Sequence, residues 1–238
     1  MNKIVWSLFD GSGYAVIDWA ERGYTCFCIN ADDADHGDYQ SRGARIEHPK
    51  IHYVNKWIDK DFFDDAVAGL LPELGKPSLI LAFPPCTDLA NSGSRHWANK
   101  REANPDFQID AMITARIASN LANYWGVPYM IENPVGMLST LWRKPDVYVD
   151  PWEFGGHLER SEWNHPAFPD YIMPRDAYPK KTGLWVGNGF KMPERKPVFV
   201  PGGYSRQYAK LGGKSTKAKI IRSLTPRGLA RAIFKANR

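Results

Sequence analysis

The sequence predicts an α/β fold with a mostly parallel β-sheet and helices on both of its faces. Three observations predict this class. Short apolar runs alternate with helical patterns through residues 1–150, one of these runs is apolar on both faces, and the pattern becomes irregular after about residue 150. Strands that alternate with helices are typical of parallel sheets, whose central strands are buried on both sides.

The regular elements follow one another through the first 150 residues. Apolar runs predict strands at residues 4–9, 24–29, 78–83 and 127–131. The second strand alternates Cys26 and Cys28 with Phe27, which places both cysteines on one core face. Helical spacing predicts one helix with Tyr14, Ile17 and Ala20 on a single face. It predicts two more at 61–71, whose acidic start suits the helix dipole, and at 107–125.

The rest of the chain has a different texture. Residues 151–203 are rich in proline, glycine and aromatic side chains, with one predicted strand at 183–186. A last helix is predicted at 225–236, with Thr225 as its cap and Pro226 in the first helical position. We therefore expect an α/β core at 1–150, an irregular region at 151–222 and a C-terminal helix, 223–238, that packs back on the core.

Composition narrows the class of protein. With 43% hydrophobic and 24% charged residues in 238, the chain suits a globular domain and not a disordered one. No apolar run approaches the roughly 20 residues that span a bilayer, so we expect no membrane contact. The N-terminus leads directly into a strand without a signal-peptide pattern, and three cysteines do not make a disulfide framework. A cytoplasmic setting is expected, with a monomer favoured.

Charge is divided unevenly along the chain. Residues 1–174 hold 15 basic and 24 acidic residues, a net charge of −9, whereas residues 175–238 hold 16 basic and 2 acidic residues, a net charge of +14. A basic segment of this kind favours a polyanionic partner over a solvated tail, because aromatic residues are interleaved with it. These aromatic residues are Trp185, Phe190, Phe199, Tyr204, Tyr208 and Phe234.

Three short sequences follow predicted strands, where α/β sheets bind ligands. The first, residues 9–13 (FDGSG), suits a ligand close to the backbone, although a purely structural glycine turn explains it equally well. The second presents Cys86 after two prolines, either as a nucleophile or as an inert core thiol. The third places Glu132 at a strand end 46 residues later, in the same cleft or in a solvated turn.

Taken together and in order, these sequences resemble the first, fourth and sixth motifs of the cytosine-C5 DNA methyltransferases. Residues 84–90 (PPCTDLA), 132–146 (ENPVGMLSTLWRKPD), 180–185 (KKTGLW) and 222–228 (RSLTPRG) resemble small phage-encoded members most closely. The resemblance extends over nearly the whole chain. It implies a methyltransferase with a Rossmann-like fold that uses S-adenosylmethionine. If the protein is phage-encoded, it would act in the host cytoplasm. Its role would be to protect phage DNA from restriction or to prepare its cytosines for further modification.

The resemblance also implies a chemistry for two residues. Cys86 would be the nucleophile that adds to C6 of cytosine, and Glu132 would support that addition at N3 as a partly protonated acid. The target base would leave the helical stack to reach the pocket. The eighth motif of the family carries an arginine for the cytosine O2, but Thr182 stands in its place here. Lys180 or Lys181 is the predicted substitute, although a lysine ammonium lacks the planar, bidentate hydrogen-bonding geometry of an arginine guanidinium.

For S-adenosylmethionine, the resemblance implies contacts from the first loop and from the ends of neighbouring strands. The family places an acid at the end of the second strand on the ribose, where this chain has Asn30. Asp32 is the nearest candidate acid, and an ordinary loop carboxylate is the alternative. Trp57 lies where the third motif packs the adenine, or is plain core. The predicted cofactor residues are Phe9, Asp10, Gly11, Gly13, Asn30, Asp32, Trp57 and Pro84.

The expected partner is cytosine-containing DNA, held across the mouth of the cleft. Residues 92–97 would be a loop that closes over the flipped base, with a solvated loop as the alternative. Target recognition is expected to be reduced to residues 188–221, helped by the insert at 155–177. The predicted DNA contacts are Ser92, Arg95, Arg143, Lys144, Arg206, Lys214, Lys217 and Arg222.

Other readings of the sequence stay open. His157 and His165 lie near several acids, but without ligand spacing a loop with no metal is favoured. A pyrimidine-C5 enzyme acting on RNA or a nucleotide is one alternative function. A DNA-binding relative without catalysis is another, and it would need neither Cys86 nor Glu132.

Overall fold

The computed structural model describes residues 3–34, 37–212 and 215–238. The strands are β1 (Ile4–Leu8), β2 (Thr25–Asn30), β3 (Ile51–Asn55), β4 (Leu79–Ala82), β5 (Tyr129–Pro134), β6 (Val147–Val149) and β7 (Thr182–Gly187). The α-helices are α1 (Ile17–Glu21), α2 (Lys60–Val67), α3 (Trp97–Ala103), α4 (Phe107–Trp125), α5 (Leu138–Leu141), α6 (Arg206–Lys210), α7 (Thr216–Ser223) and α8 (Arg227–Asn237). Short 3₁₀ helices lie in the irregular region at Pro151–Glu153, Gly155–His157, Arg160–Glu162, Pro174–Asp176 and Pro201–Gly203. Two more lie in the first 150 residues, at Pro72–Leu74 and Asn91–His96.

One seven-stranded sheet organises the chain, in the order β3-β2-β1-β4-β5-β7-β6. The first five of these strands are parallel, and β7 runs antiparallel to both β5 and β6. The predicted α/β class with a mostly parallel sheet is confirmed. The sheet agrees with the Rossmann-like fold that the resemblance implies.

Helices cover both faces of the sheet, as alternation along the strands requires. Trp6, Leu8 and Ile80 face the side that α2, α4 and α5 cover, where Phe62 and Leu121 complete the core. Val5, Cys28 and Leu81 face the opposite side, which α1 and α8 cover. Cys26 and Cys28 are 0% and 1% exposed, so the predicted core face of β2 is confirmed.

Local signals explain where the helices begin and end. Asp59 caps α2 by accepting a hydrogen bond from the Phe62 N–H, and Gly126 ends α4 in the left-handed conformation. The predicted cap of the last helix is wrong. Pro226 is the N-cap, Thr225 makes no capping bond, and the helix begins at Arg227. The buried Asp176 carboxylate instead accepts a hydrogen bond of 2.9 Å from the Gly228 N–H, so a residue 52 positions away satisfies this helix end.

Sequence patterns missed two edge strands and four helices, which are α3, α5, α6 and α7. β3 carries His52 and Asn55, and β6 has only three residues, so neither shows a long apolar run. α7 is short and carries three basic residues, which a charge-based interpretation assigns to surface. Within the described residues, no helix is long and apolar enough to cross a membrane.

Candidate active site

The sheet brings the three predicted loops to one edge. β1, β4 and β5 are adjacent and parallel, so the residues that follow them leave the sheet on the same side. Residues 9–13 follow β1, Cys86 follows β4, and Glu132 lies near the end of β5. This placement follows from the strand order and explains how residues far apart in sequence share a cleft.

Hydrogen bonds join the Cys86 loop directly to the loop that follows Glu132. The buried Asn133 side chain donates through Nδ2 to the Pro84 carbonyl at 2.9 Å. The Met137 N–H donates to the Leu89 carbonyl at 2.8 Å, and Gly136 lies so close that a Cβ there would meet the Leu89 oxygen at 2.0 Å. These hydrogen bonds hold the two loops together, and they restrict the position of the Cys86 thiol relative to the Glu132 carboxylate.

Cys86 lies in an environment that opposes its ionisation. Burial raises the pKa of the Cys86 thiol above its ordinary value. The Lys180 ammonium lowers that pKa and the Glu132 carboxylate raises it, so both charges act on the sulfur. Of these two charges, that of Lys180 favours the thiolate and that of Glu132 opposes it.

Lys180 is held by two hydrogen bonds. Its backbone N–H donates to Asp150 Oδ1 at 2.7 Å, and its Nζ donates to the Arg222 carbonyl at 2.9 Å. The Lys181 side chain has different neighbours from that of Lys180. It is exposed, and its Nζ lies 5.3 Å from the centre of the Tyr148 ring. Among the described contacts none joins Lys181 to Cys86 or Glu132, so the two predicted lysines are separated by the fold.

Thr182 occupies the position that the family resemblance assigns to an arginine. It is 4% exposed at the start of β7, and its hydroxyl donates a hydrogen bond to Glu132 Oε1. The antiparallel pairing of β7 with β5 creates this contact, because Thr182 lies opposite Pro134, two residues beyond Glu132. A threonine thus orients the carboxylate, a role that the sequence analysis did not assign.

The first loop is shaped by its own aspartate. Asp10 is 4% exposed, and its Oδ1 accepts hydrogen bonds from the N–H groups of Ser12 and Gly13, each at 2.9 Å. Its Oδ2 accepts from the Ser7 hydroxyl at 2.8 Å. Phe9, directly after β1, has a φ of 59°, a conformation that costs free energy in a bulky residue and is typical of binding loops. Asp10 therefore builds the loop, and its carboxylate is already engaged.

The ends of β2 and β3 supply polar groups beside this loop. Asn30 Nδ2 donates to Asp32 Oδ1 at 2.9 Å, and the Asp32 N–H donates to Asn55 Oδ1 at 2.9 Å. Both carboxylate oxygens of Asp32 also accept from Arg45 Nη2, at 3.0 and 3.1 Å. Arg45, which no sequence pattern indicated, thus neutralises the predicted ribose acid.

The remaining predicted cofactor residues differ in exposure. Trp57 is 57% exposed, which excludes the core alternative and leaves the indole free for stacking. Pro84 is buried and accepts from Asn133. Tyr39 is a residue that sequence analysis missed: it is 6% exposed and its ring packs on Gly11. A lone tyrosine in a polar loop carried no pattern that could have indicated this position.

The predicted DNA contacts fall into two groups. Ser92, Arg95 and Lys144 are exposed, and Arg206 is half-buried at the start of α6. Arg95 Nε already donates to His96 Nε2 at 3.0 Å, and three further residues make contacts within the protein. Arg143 bonds Asp146 and the Val186 carbonyl, Lys217 bonds Tyr171, and Arg222 bonds the Leu211 carbonyl. Lys214 lies outside the described residues.

The aromatic residues of the basic segment also divide. Trp185, Phe190 and Phe234 belong to the core, whereas Phe199 and Tyr204 are 84% and 55% exposed. The side chain of Tyr208 lies outside the described part. Only two of these aromatic side chains are therefore known to be available to a partner.

His157 and His165 are both buried, and one ring nitrogen of each contacts a backbone group. Burial lowers the pKa of His165 to about 3. Across residues 3–34, 37–212 and 215–238, no three His, Cys, Asp or Glu side chains are grouped as metal ligands.

Comparisons with known proteins give a structural likeness only. No protein-family model matches the sequence, and no curated protein matches it. One solved structure of similar fold is described as a proposed DNA modification methyltransferase encoded within a prophage of E. coli. It is 13% identical, has a TM-score of 0.42, and the alignment covers 82% of this chain and 52% of that one. This chain thus spans about half the length of that protein, and the fold assignment rests on the sheet itself.

Proposed function

We propose that this chain is a DNA cytosine-C5 methyltransferase that uses S-adenosylmethionine and modifies phage DNA. The observation that carries the proposal is the placement of Cys86 and Glu132 by the adjacent parallel strands β4 and β5, where the Asn133–Pro84 hydrogen bond joins their loops and the charges of Glu132 and Lys180 act on the thiol. A thiol and a carboxyl group at this edge of the sheet suit addition to C6 and proton sharing at N3 of cytosine. The motif resemblance supplies the reaction, and the geometry supports it.

The residues around the loop fit S-adenosylmethionine by the chemistry of their donors and acceptors. Gly11 and Gly13 place no side chain of their own over the loop backbone, although Tyr39 and Tyr53 lie against them. Asn30 and Asn55 end neighbouring strands, and Trp57 presents an exposed indole. When bound, the cofactor supplies an electrophilic methyl group. Asp32 fits least well as a ribose ligand, because Arg45 already binds both of its oxygens.

Catalysis by the chain's own residues starts at Cys86. The thiol must lose its proton before sulfur can bond C6, and the Lys180 ammonium favours that loss against burial. As the C6–S bond forms, the electron pair of the C5–C6 double bond becomes available at C5, and Glu132 shares a proton with N3 to limit charge on the ring. After C5 gains its methyl group, the C5 proton passes to solvent, the C5–H electron pair re-forms the C5–C6 double bond, and the C6–S pair leaves with the Cys86 thiolate.

The decisive experiment is methyl transfer from tritiated S-adenosylmethionine to DNA and, separately, to RNA. We expect label in DNA and 5-methyldeoxycytidine among its nucleosides. Cys86→Ser should abolish transfer while retaining cofactor binding, whereas the matched variant Cys26→Ala, at a buried cysteine of β2, should retain transfer. Label in RNA alone would indicate the alternative substrate. Cofactor binding without transfer to either polymer would refute the catalytic proposal.

A further inference from the structure

Tyr39 fills the space above the glycine loop. A Cβ added to Gly11 would lie 2.1 Å from Tyr39 Cδ2 and 2.8 Å from its Cγ, so the ring rests directly on the glycine backbone. Gly13 is covered in the same manner by Tyr53, whose hydroxyl would meet an added Cβ at 2.5 Å. Tyrosine side chains therefore cover both glycines of the loop.

Tyr39 is buried, and its hydroxyl contacts the basic C-terminal segment. Burial raises the pKa of Tyr39 to about 12, and the charges of Asp10, Cys86 and Asp32 add to that rise. The hydroxyl is 2.7 Å from Ser223 Oγ at the end of α7. One side chain thus connects the glycine loop with the basic C-terminal segment.

Tyr39 and Tyr53 differ in what holds them. Tyr53 belongs to β3, and its hydroxyl donates to the Ile46 carbonyl at 2.7 Å. Tyr39 lies in residues 38–44, which we name the tyrosine flap. Within this flap Tyr39 and Ala44 are buried and the other five residues are exposed.

Several hydrogen bonds of the tyrosine flap are internal, and others join it to Gly37, Arg45 and Ser223. The Ser41 N–H donates to Asp38 Oδ1 at 3.0 Å, the Gly43 N–H to the Gln40 carbonyl at 3.1 Å, and the Ala44 N–H to the Tyr39 carbonyl at 3.0 Å. The chain is anchored just beyond the flap, where the Ile46 N–H donates to the Ser12 carbonyl at 2.9 Å. A loop that is bonded to itself and anchored at its end can turn outward as a unit.

We propose that the tyrosine flap is a gate in which Tyr39 competes with the cofactor for the surface of Gly11. This inference rests on the proposed function. Binding then requires the Tyr39 ring to leave Gly11 and its hydroxyl to leave Ser223, while Arg45 and Ile46 remain as the hinge. Tyr53, fixed in the sheet, stays as a wall of the site.

Removing the Tyr39 ring should have opposite effects on cofactor affinity if Tyr39 is a displaceable gate and if it is a fixed wall of the site. If Tyr39 must be displaced, the closed form reduces the apparent affinity, and Tyr39→Ala should tighten S-adenosylhomocysteine binding by about tenfold. Tyr39→Phe and Ser223→Ala remove only the hydrogen bond between Tyr39 and Ser223, and they should tighten S-adenosylhomocysteine binding less. Tyr53→Ala is the matched control and should not tighten it. Isothermal calorimetry on the full chain measures each constant.

A second measurement follows the ring itself. In protein labelled with 3-fluorotyrosine, the ¹⁹F resonance absent from Tyr39→Phe reports Tyr39, and S-adenosylhomocysteine should move it to a solvent-exposed position. Weaker binding by Tyr39→Ala, or an unmoved resonance at saturation, would overturn the gate while leaving the cofactor assignment intact. Binding by Tyr39→Ala but not by wild type would support the gate most directly. Failure of every variant to bind would instead refute the cofactor assignment, and the gate with it.

Discussion

The Thr182 hydroxyl donates a hydrogen bond to Glu132 Oε1 across the antiparallel pair of β7 and β5. Thr182 is buried, so this bond is protected from competition by water. The oxygen that accepts it belongs to the carboxylate whose charge acts on Cys86. We therefore propose Thr182 as a positioning residue for Glu132, at the position that the motif resemblance assigns to an arginine for the cytosine O2.

Replacing Thr182 should separate orientation from binding. Thr182→Val keeps the side-chain shape but loses the donor, and losing a hydrogen bond to a charged group should lower kcat about 10- to 100-fold. Thr182→Ser retains the hydroxyl and should restore most of that loss. KM for DNA should change little in either variant. Steady-state methyl transfer measures both constants, and a valine variant with wild-type kcat would exclude the positioning role.

Reactivity of Cys86 should depend on pH in a manner set by burial and by Lys180. Because its pKa is raised, alkylation by iodoacetamide should reach half its maximal rate above the ordinary thiol value. Lys180→Met removes the favourable charge and should move this midpoint to higher pH, whereas Lys180→Arg should not. Peptide mapping by mass spectrometry follows Cys86 separately from Cys26, whose pKa burial raises to about 12.

The control for this experiment is the plateau rate at high pH, which reports access to the sulfur. An equal plateau in all three proteins would attribute the difference to ionisation. Identical midpoints for wild type and Lys180→Met would show that Lys180 does not stabilise the thiolate.

The fold could be predicted from sequence because its signals are local. The strand before Cys86 and the helix at 107–125 are long apolar patterns, and α4 has the predicted bounds. β3 and β6 escaped prediction because edge strands carry polar residues and few apolar ones. The cap of α8 escaped because Asp176, which satisfies it, is distant in sequence.

The candidate site could be predicted only in part. Cys86 and Glu132 lie at strand ends, where a sheet edge gathers them, so sequence order sufficed. Thr182, Arg45 and Tyr39 act through contacts that depend on the three-dimensional arrangement of loops and of an antiparallel strand. The division between Lys180 and Lys181 also depends on the fold, because adjacent residues in sequence point to different neighbours.

Asp176 should make stability depend on pH. Burial raises its pKa above the ordinary carboxyl value, so the folded state binds the proton more tightly than the unfolded state. This contribution is fully present below the unfolded pKa and is lost as pH rises through the folded pKa. Asp176→Asn does not titrate, so its stability relative to wild type should increase with pH through that window.

Urea unfolding at several pH values, from about 4 upward, measures this difference in the free energy of unfolding. Asp170→Asn is the matched control, because Asp170 is exposed. It should leave the pH dependence of wild type unchanged. A constant difference between Asp176→Asn and wild type across the range would contradict the raised pKa.

The basic C-terminal segment should carry the salt dependence of DNA binding. Lys210 and Lys217 are exposed there, and a lysine that contacts a phosphate contributes about 0.9 to the slope of log affinity against log salt. Lys210→Gln and Lys217→Gln should each lower that slope by about one unit. Lys60→Gln removes the same charge from the acidic part of the chain, residues 1–174. Lys60 is exposed and paired with Asp64, so its replacement should leave the slope unchanged. Fluorescence anisotropy with a labelled duplex at 50–200 mM salt measures each slope. Equal losses in all three variants would show that net charge alone, and not this segment, attracts DNA.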